Sequence, residues 1–153
     1  FGCGGSHVVG DRIIHCWKTT GHGGQTFAEA LQNSCNVAFM RIGAAIGNKK
    51  FYEYFQAFGF TEKTGIDMLG ETSPIKGVHY HTYQTFTDGR FGADVTLATY
   101  SFGQTFKITP IQMITAVSAV VNGGKLMKPY VVQALADENG NIIEEYSPPS
   151  CGR

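Results

Sequence analysis

At 153 residues with 42% apolar content, the chain is long enough for one hydrophobic core, a single domain or a substantial part of one, and too apolar for a disordered segment. Twelve basic residues are matched by twelve acidic ones, giving a formal charge of zero and none of the one-sided basic excess that drives nucleic-acid binding. The longest mildly apolar stretch, Met113 to Val121, is far short of a membrane span and carries Thr115 and Ser118.

There is no start methionine, basic leader or cleavage site at the amino end, and the abrupt ends at Phe1 and Arg153 read as those of a fragment. Residues Ser6 to Trp17 turn around Gly10-Asp11 with Val8, Val9, Ile13 and Ile14 on either side, which predicts a short hairpin. Thr26 and Glu29 form a capping box, so a short helix begins near Phe27 and stops near Asn33. Val37, Met40, Ile42 and Ile46 predict a second helix closed by Gly47. Asn48 is placed to cap a third, with Phe51, Phe55 and Phe58 on one face before Gly59. The three form one compact run, and the aromatic residues 51–58, including Tyr52 and Tyr54, are read as core. Residues 70–100 carry weak patterning and predict a long, partly irregular connection. Thr109-Pro110-Ile111-Gln112 then opens a helix with Ile114, Val117 and Val121 inward, stopped by Asn122-Gly123-Gly124. Tyr130-Val131-Val132 and Ile142-Ile143 flank Asn139-Gly140 and predict two antiparallel strands.

The chemistry-bearing candidate is Ser34-Cys35-Asn36, between the first two helices. In an extended or turn segment, residues two apart point the same way, so the hydroxyl of Ser34 and the carboxamide of Asn36 face one cleft. The hydroxyl can accept and donate a proton; the carboxamide can donate to a substrate carbonyl while accepting from a lysine. The competing reading is that both residues only terminate one helix and cap the next. By itself an S-x-N tripeptide arises by chance roughly once in every two or three chains of this length.

Three blocks in order tip the balance. Ala30 to Phe39 around Ser34-Cys35-Asn36 comes first. Phe58-Gly59-Phe60 with Thr64-Gly65-Ile66-Asp67 and Gly70-Glu71 follows, then Ser101-Phe102-Gly103-Gln104 with Ile108 to Met113 and Asn122-Gly123-Gly124. Together they resemble the transpeptidase domain of class B penicillin-binding proteins over roughly residues 20–147. The chain departs from the pattern at Thr105, where the family usually has glycine.

The resemblance implies an α+β fold with helices on both sides of an antiparallel sheet. This chain would hold its mainly helical part, with short antiparallel hairpins at both ends. It also implies that Ser34 relays a proton between the catalytic lysine and the amine, that Asn36 holds the stem peptide's backbone, and that Gly103 and Gln104 lie at the substrate. Two literal motif matches are rejected. Lys63-Thr64-Gly65 spells K-T-G inside the T-G-I-D block rather than on a later strand, and Ser73-Pro74-Ile75-Lys76 spells S-x-x-K on the wrong side of S-x-N. With neither true motif present, the 153 residues are a partial transpeptidase domain and inactive alone. The parent would be a D,D-transpeptidase acting through a serine acyl-enzyme on peptidoglycan stem peptides, acylated by β-lactams, anchored outside this chain at the extracytoplasmic face of the membrane, and using no metal or organic cofactor. The alternatives are a noncatalytic peptidoglycan or division-complex binding module, and a serine carboxypeptidase or β-lactamase of the same superfamily.

Cys3, Cys16, Cys35 and Cys151 can pair in three ways, and the sequence does not choose. Resemblance to the sporulation-specific branch of the family implies a Cys16–Cys35 bridge at the active-site edge, usable as a redox switch. The five histidines, His15 and His22 beside Cys3 and Cys16 among them, match no established zinc spacing and are assigned surface or packing roles. Edges and apolar surface left without their neighbours favour self-association of the isolated chain.

Overall fold

The computed structural model describes residues 1–75, 77–88 and 92–146; Lys76 of the rejected S-x-x-K and Cys151 lie outside them. The chain divides into two units, Phe1–Glu53 with Tyr80–Phe106, and Tyr54–His79 with the residues from Lys107 onward. Six helices and three two-stranded antiparallel pairs among the described residues make the α+β class expected of the sequence.

In the first unit, β1 (Gly2–Cys3) pairs with β4 (Gly23–Gly24), and β2 (Ser6–Val9) with β3 (Arg12–His15), Val9 opposite Arg12 across Gly10-Asp11. The predicted hairpin is therefore present. Helix α1 (Phe27–Gln32) opens on the Thr26 capping box, with Thr26 N donating to Glu29 Oε2 at 2.7 Å. Helix α2 (Asn36–Ile46) ends at Gly47, whose φ of 80° favours glycine. Asn48 does not cap α3 (Asn48–Ala57): it is the first helical residue, and its side chain donates to the carbonyls of Phe86 and Ala93.

The sequence reading failed between residues 70 and 100. Two helices, α4 (Tyr83–Thr87) and α5 (Ala93–Ser101), lie there, and α2 packs mainly on α5. Helix α5 buries Ala93, Thr96, Leu97, Ala98 and Tyr100, residues on more than one side, so it has no polar stripe for periodicity to detect. Its amino end is the left-handed Gly92, with no side-chain cap to announce it.

Close approach of α2 and α5 depends on Gly43. A Cβ there would run into Ser101 Oγ and lie 2.9 Å from Ser101 Cβ. Rotating the serine clears only the first clash and gives up its bond to the Leu97 carbonyl, 2.7 Å. Gly43→Ala is therefore expected to destabilise the chain by about 1–3 kcal/mol, despite alanine's advantage of about 1 kcal/mol in a helix. Adding Ser101→Gly should return most of the loss; denaturant unfolding of both variants checks this.

The aromatic face of α3 does not form one core. Phe51 and Tyr52 pack on Phe86 in the first unit, whereas Phe55 and Phe58 pack on Phe60 in the second, and Tyr54 is exposed.

In the second unit the family blocks hold one another. The Glu71 carboxylate accepts from Thr64 N at 2.6 Å, Thr64 Oγ1 at 2.7 Å and Gly65 N at 3.0 Å. Lys63-Thr64-Gly65 is thus a loop wrapped on a carboxylate, as its rejection as a strand motif requires. Asp67 accepts from the amides of Val131 and Val132 at 2.8 and 2.9 Å. That takes these amides out of any ladder and explains why the strand predicted at 130–132 appears later, as β5 (Ala134–Ala136) paired with β6 (Ile142–Glu145).

Helix α6 (Pro110–Val121) has its predicted cap and box, but not its predicted orientation. Gln112, Ala116 and Ala119 are buried, while Ile114, Val117 and Val121 are 56%, 49% and 80% exposed. The reason is Gln112, whose Nε2 donates to Gly59 O and Glu62 O at 3.2 and 2.8 Å and turns the polar residue inward.

Burial works against ionisation of Glu71, but the Thr64 hydroxyl and amide, the Gly65 amide and the Lys63 charge outweigh it and lower its pKa. A lowered folded-state pKa contributes stability that is complete above the unfolded value and lost as pH falls through the folded one. Glu71→Gln is expected to cost about 1.5–3 kcal/mol at neutral pH. Its stability curve should converge with wild type on acidification, as read by denaturant midpoints across pH.

Candidate active site

The S-x-N segment is built by the end of one helix and the start of the next. Ser34 N donates to Leu31 O and Cys35 N to Ala30 O, both at 3.0 Å, so α1 closes in a Schellman motif with Ser34 in the left-handed position that glycine usually fills. Ser34 has φ of 46°, and Thr105, next to Gly103-Gln104, has φ of 65°. They are the two non-glycine residues with positive φ among the described residues. For an L-residue this conformation costs about 1–2 kcal/mol, and such strain collects at functional sites.

Exposure alternates along the tripeptide. Ser34 is exposed; Cys35, the N-cap of α2, is fully buried with no side-chain cap bond; Asn36 begins the helix and its Nδ2 donates to His15 O at 3.2 Å. Ser34 therefore does terminate a helix, as the structural reading of the sequence held, but Asn36 is not a cap. Its carboxamide is steered by the carboxyl end of β3. Trp17 Nε1 donates to Asn33 O at 2.9 Å and Asn33 Nδ2 to Gln25 Oε1 at 3.0 Å, so the chain on either side of β4 braces the turn.

The second segment stands at the end of α5. Gln104 is exposed, with its amide bonded to Thr99 O at 2.9 Å, and Gly103 has φ of 83°. Thr105 Oγ1 meets Thr99 Oγ1 at 2.7 Å. Thr105, where the sequence resemblance leads one to expect glycine, thus has a glycine-like backbone, held by a hydroxyl pair. Phe102 packs against the core cluster that contains Cys35, Val37 and Met40, so both segments are mounted on one core.

Beneath the Ser34 turn lies a group that spacing did not predict. Cys3, Cys16 and Cys35 are free, buried thiols, and His22 joins them. His15, singled out with Cys16 from the sequence, is not in this group; Cys35 takes that place. The pairing of Cys3 with Gly23 across β1 and β4 brings together side chains far apart in sequence, a relation that linear spacing does not carry. Burial works against ionisation of Cys3, but the Gly5 amide, the ring and amide of His22 and the Cys35 thiol outweigh it and bring its pKa down to about 6. Burial pushes the Cys35 thiol up.

Comparison with known proteins gives a consistent result. Residues 1–150 match the family model of the penicillin binding protein transpeptidase domain. The chain is 44% identical to stage V sporulation protein D of Bacillus subtilis over 95% of its own length and 21% of that protein's. It is 28% identical to the peptidoglycan D,D-transpeptidase MrdA of Salmonella typhimurium over 86% of its length and 21% of that protein's. It therefore spans about a fifth of these curated relatives. Among solved structures, penicillin-binding protein 2 of Helicobacter pylori in complex with MreC superposes with a TM-score of 0.68 at 28% identity, over 85% of this chain and 24% of that one. Penicillin-binding protein 3 of Mycobacterium tuberculosis, complexed with aztreonam, shares the fold with a TM-score of 0.78 at 23% identity, over 95% of this chain and 30% of that one.

Proposed function

The chain belongs to the penicillin-binding protein transpeptidase family, and from that premise we propose that it is the S-x-N portion of a peptidoglycan D,D-transpeptidase. The observation that carries the reading is Ser34, exposed and held at positive φ between a buried Cys35 and the end of α1. In the parent, a serine nucleophile attacks the penultimate D-alanine carbonyl of a stem peptide, the terminal D-alanine leaves, and a neighbouring stem's amine captures the acyl group. Ser34 passes the proton between the catalytic lysine and the amine, and Asn36 donates to the stem backbone. Gly103 and Gln104 line the substrate side. The nucleophile, lysine and K-T-G strand are outside these 153 residues, so the isolated chain does not acylate.

The same reading places the parent at the extracytoplasmic face of the cell membrane, held by an anchor outside this chain. No helix among the described residues is long and apolar enough to cross a membrane. Two-electron oxidation by a disulfide donor joins Cys16 to Cys35. The exposed apolar face of α6 favours self-association of the isolated chain and cover by the rest of the domain in the parent. A protein partner such as the MreC bound by the Helicobacter relative fits a cell-wall assembly role.

Labelling with a fluorescent penicillin tests the proposal. The parent should be labelled and the isolated chain not. Covalent labelling of the chain would show that a nucleophile was overlooked, and an unlabelled parent would favour a noncatalytic binding module.

A further inference from the structure

The peptide that joins Asn33 to Ser34 is held at both of its polar atoms. Its carbonyl, Asn33 O, accepts from Trp17 Nε1 at 2.9 Å, and its N–H, on Ser34, donates to Leu31 O at 3.0 Å. Asn33 is also fixed through its side chain, whose Nδ2 donates to Oε1 of the buried Gln25.

This grip matters because Ser34 has an easier alternative. Its φ of 46° is disfavoured for an L-residue. Turning the one peptide plane over, by opposite rotations about ψ of Asn33 and φ of Ser34, leaves both Cα atoms in place and takes Ser34 to the negative φ that side chains prefer. Such a flip re-aims the Ser34 Cβ and the hydroxyl it carries. It also breaks both hydrogen bonds. The bond to Leu31 belongs to the end of a helix of six residues, which is marginal by itself. The bond from Trp17 comes from outside that helix.

Burial does not account for a tryptophan at this position, because Trp17 is 64% exposed. Phenylalanine would cover the same surface; what it lacks is the indole N–H, which can only donate. The segment carrying Trp17 is a firm mount. Cys16 N donates to Gly5 O at 2.8 Å and Gly21 N to Lys18 O at 2.9 Å. Gly5 and Gly21 approach the backbones of Thr19 and Cys3 so closely that a Cβ on either would collide. The indole also meets the His22 ring edge-on, with centroids 5.1 Å apart. The donor is therefore in place before any substrate arrives.

We propose that Trp17 is a positioning residue for Ser34: its indole N–H latches the Asn33–Ser34 peptide against turning over and so keeps the serine hydroxyl aimed for proton transfer. The inference rests on the reading of Ser34 as the proton carrier. Trp17 acts through Ser34 rather than on the substrate, so it governs the maximal rate and not the affinity. Its influence also ends once residue 34 has no hydroxyl to aim.

A double-mutant cycle in the intact parent tests this. Trp17→Phe, Ser34→Gly and the double variant are compared with wild type in acylation by a fluorescent penicillin, read as the saturating rate and the half-saturating concentration. Trp17→Phe should lower the saturating rate about three- to ten-fold, the factor carried by one such hydrogen bond, with the half-saturating concentration unchanged. In the Ser34→Gly background the same substitution should change neither. An equal rate loss in both backgrounds would reduce Trp17 to packing and overturn the proposal, and a general loss of folded protein would show itself in that way. A raised half-saturating concentration with an unchanged rate overturns it in favour of substrate contact. A wild-type rate for Trp17→Phe beside a slowed Ser34→Gly overturns the latch alone, whereas wild-type labelling by Ser34→Gly overturns the proton-carrier reading and the latch with it.

Discussion

Phe86→Ala is expected to cost about 3–5 kcal/mol, the largest stability loss of any single truncation in the first unit. Phe86 is fully buried and is the largest side chain of that kind among the described residues. Its ring stacks on Phe51 with centroids 5.9 Å apart and meets Tyr52 at 5.3 Å and Tyr100, edge-on, at 5.0 Å. Its carbonyl accepts from Asn48 Nδ2 at 2.7 Å. Truncation would leave a cavity among rings fixed on α3 and α5, which cannot collapse without moving one helix toward the other. Tyr83→Ala, in the same short helix but 43% exposed, should cost much less. Urea unfolding with an unchanged slope and a lowered midpoint would confirm the prediction. A loss below about 1 kcal/mol for Phe86→Ala would mean that α4 is not part of the cooperative unit.

What could be read from the sequence divides along physical lines. Elements with local signals were legible: the Gly10-Asp11 hairpin, the Thr26 and Thr109 capping boxes, and the glycine stops after α2 and α6. Elements defined by tertiary partners were not. Helix α5 is buried on several sides and has no amphipathic stripe, and Phe86 sits in a helix of five residues. The orientation of α6 is the reverse of the one its apolar stripe predicts, because the buried side belongs to Gln112 and two alanines. Burying a carboxamide is favourable only when its hydrogen bonds are supplied, and here backbone carbonyls 53 and 50 residues away supply them.

The family blocks were recognisable for a reason that differs from catalysis. Asp67 and Glu71 each bind backbone amides, and Gln112 links the T-P-x-Q turn to the loop after Phe58. These residues fix loops, and substituting them leaves backbone amides or carbonyls without their partners. The Ser34 and Asn36 pair is the opposite case. It is a weak sequence signal, yet it coincides with one of the two strained non-glycine positions among the described residues.

That coincidence leads to the prediction with the largest effect on activity. Made in the intact parent, Ser34→Gly is expected to leave stability unchanged or raise it by up to about 1 kcal/mol, because glycine pays no steric penalty at a φ of 46°. The same change removes the hydroxyl and should slow acylation by a fluorescent penicillin on the order of 10²–10⁴-fold. Ser34→Ala should show the same kinetic loss without the gain in stability. The divergence separates the two readings of the turn: a serine kept only to end α1 would be improved by glycine at no cost to labelling. Wild-type labelling by Ser34→Gly would therefore remove Ser34 from the proton path. A rate loss beside undiminished stability would leave chemistry as the reason a hydroxyl-bearing residue occupies a position that suits glycine better.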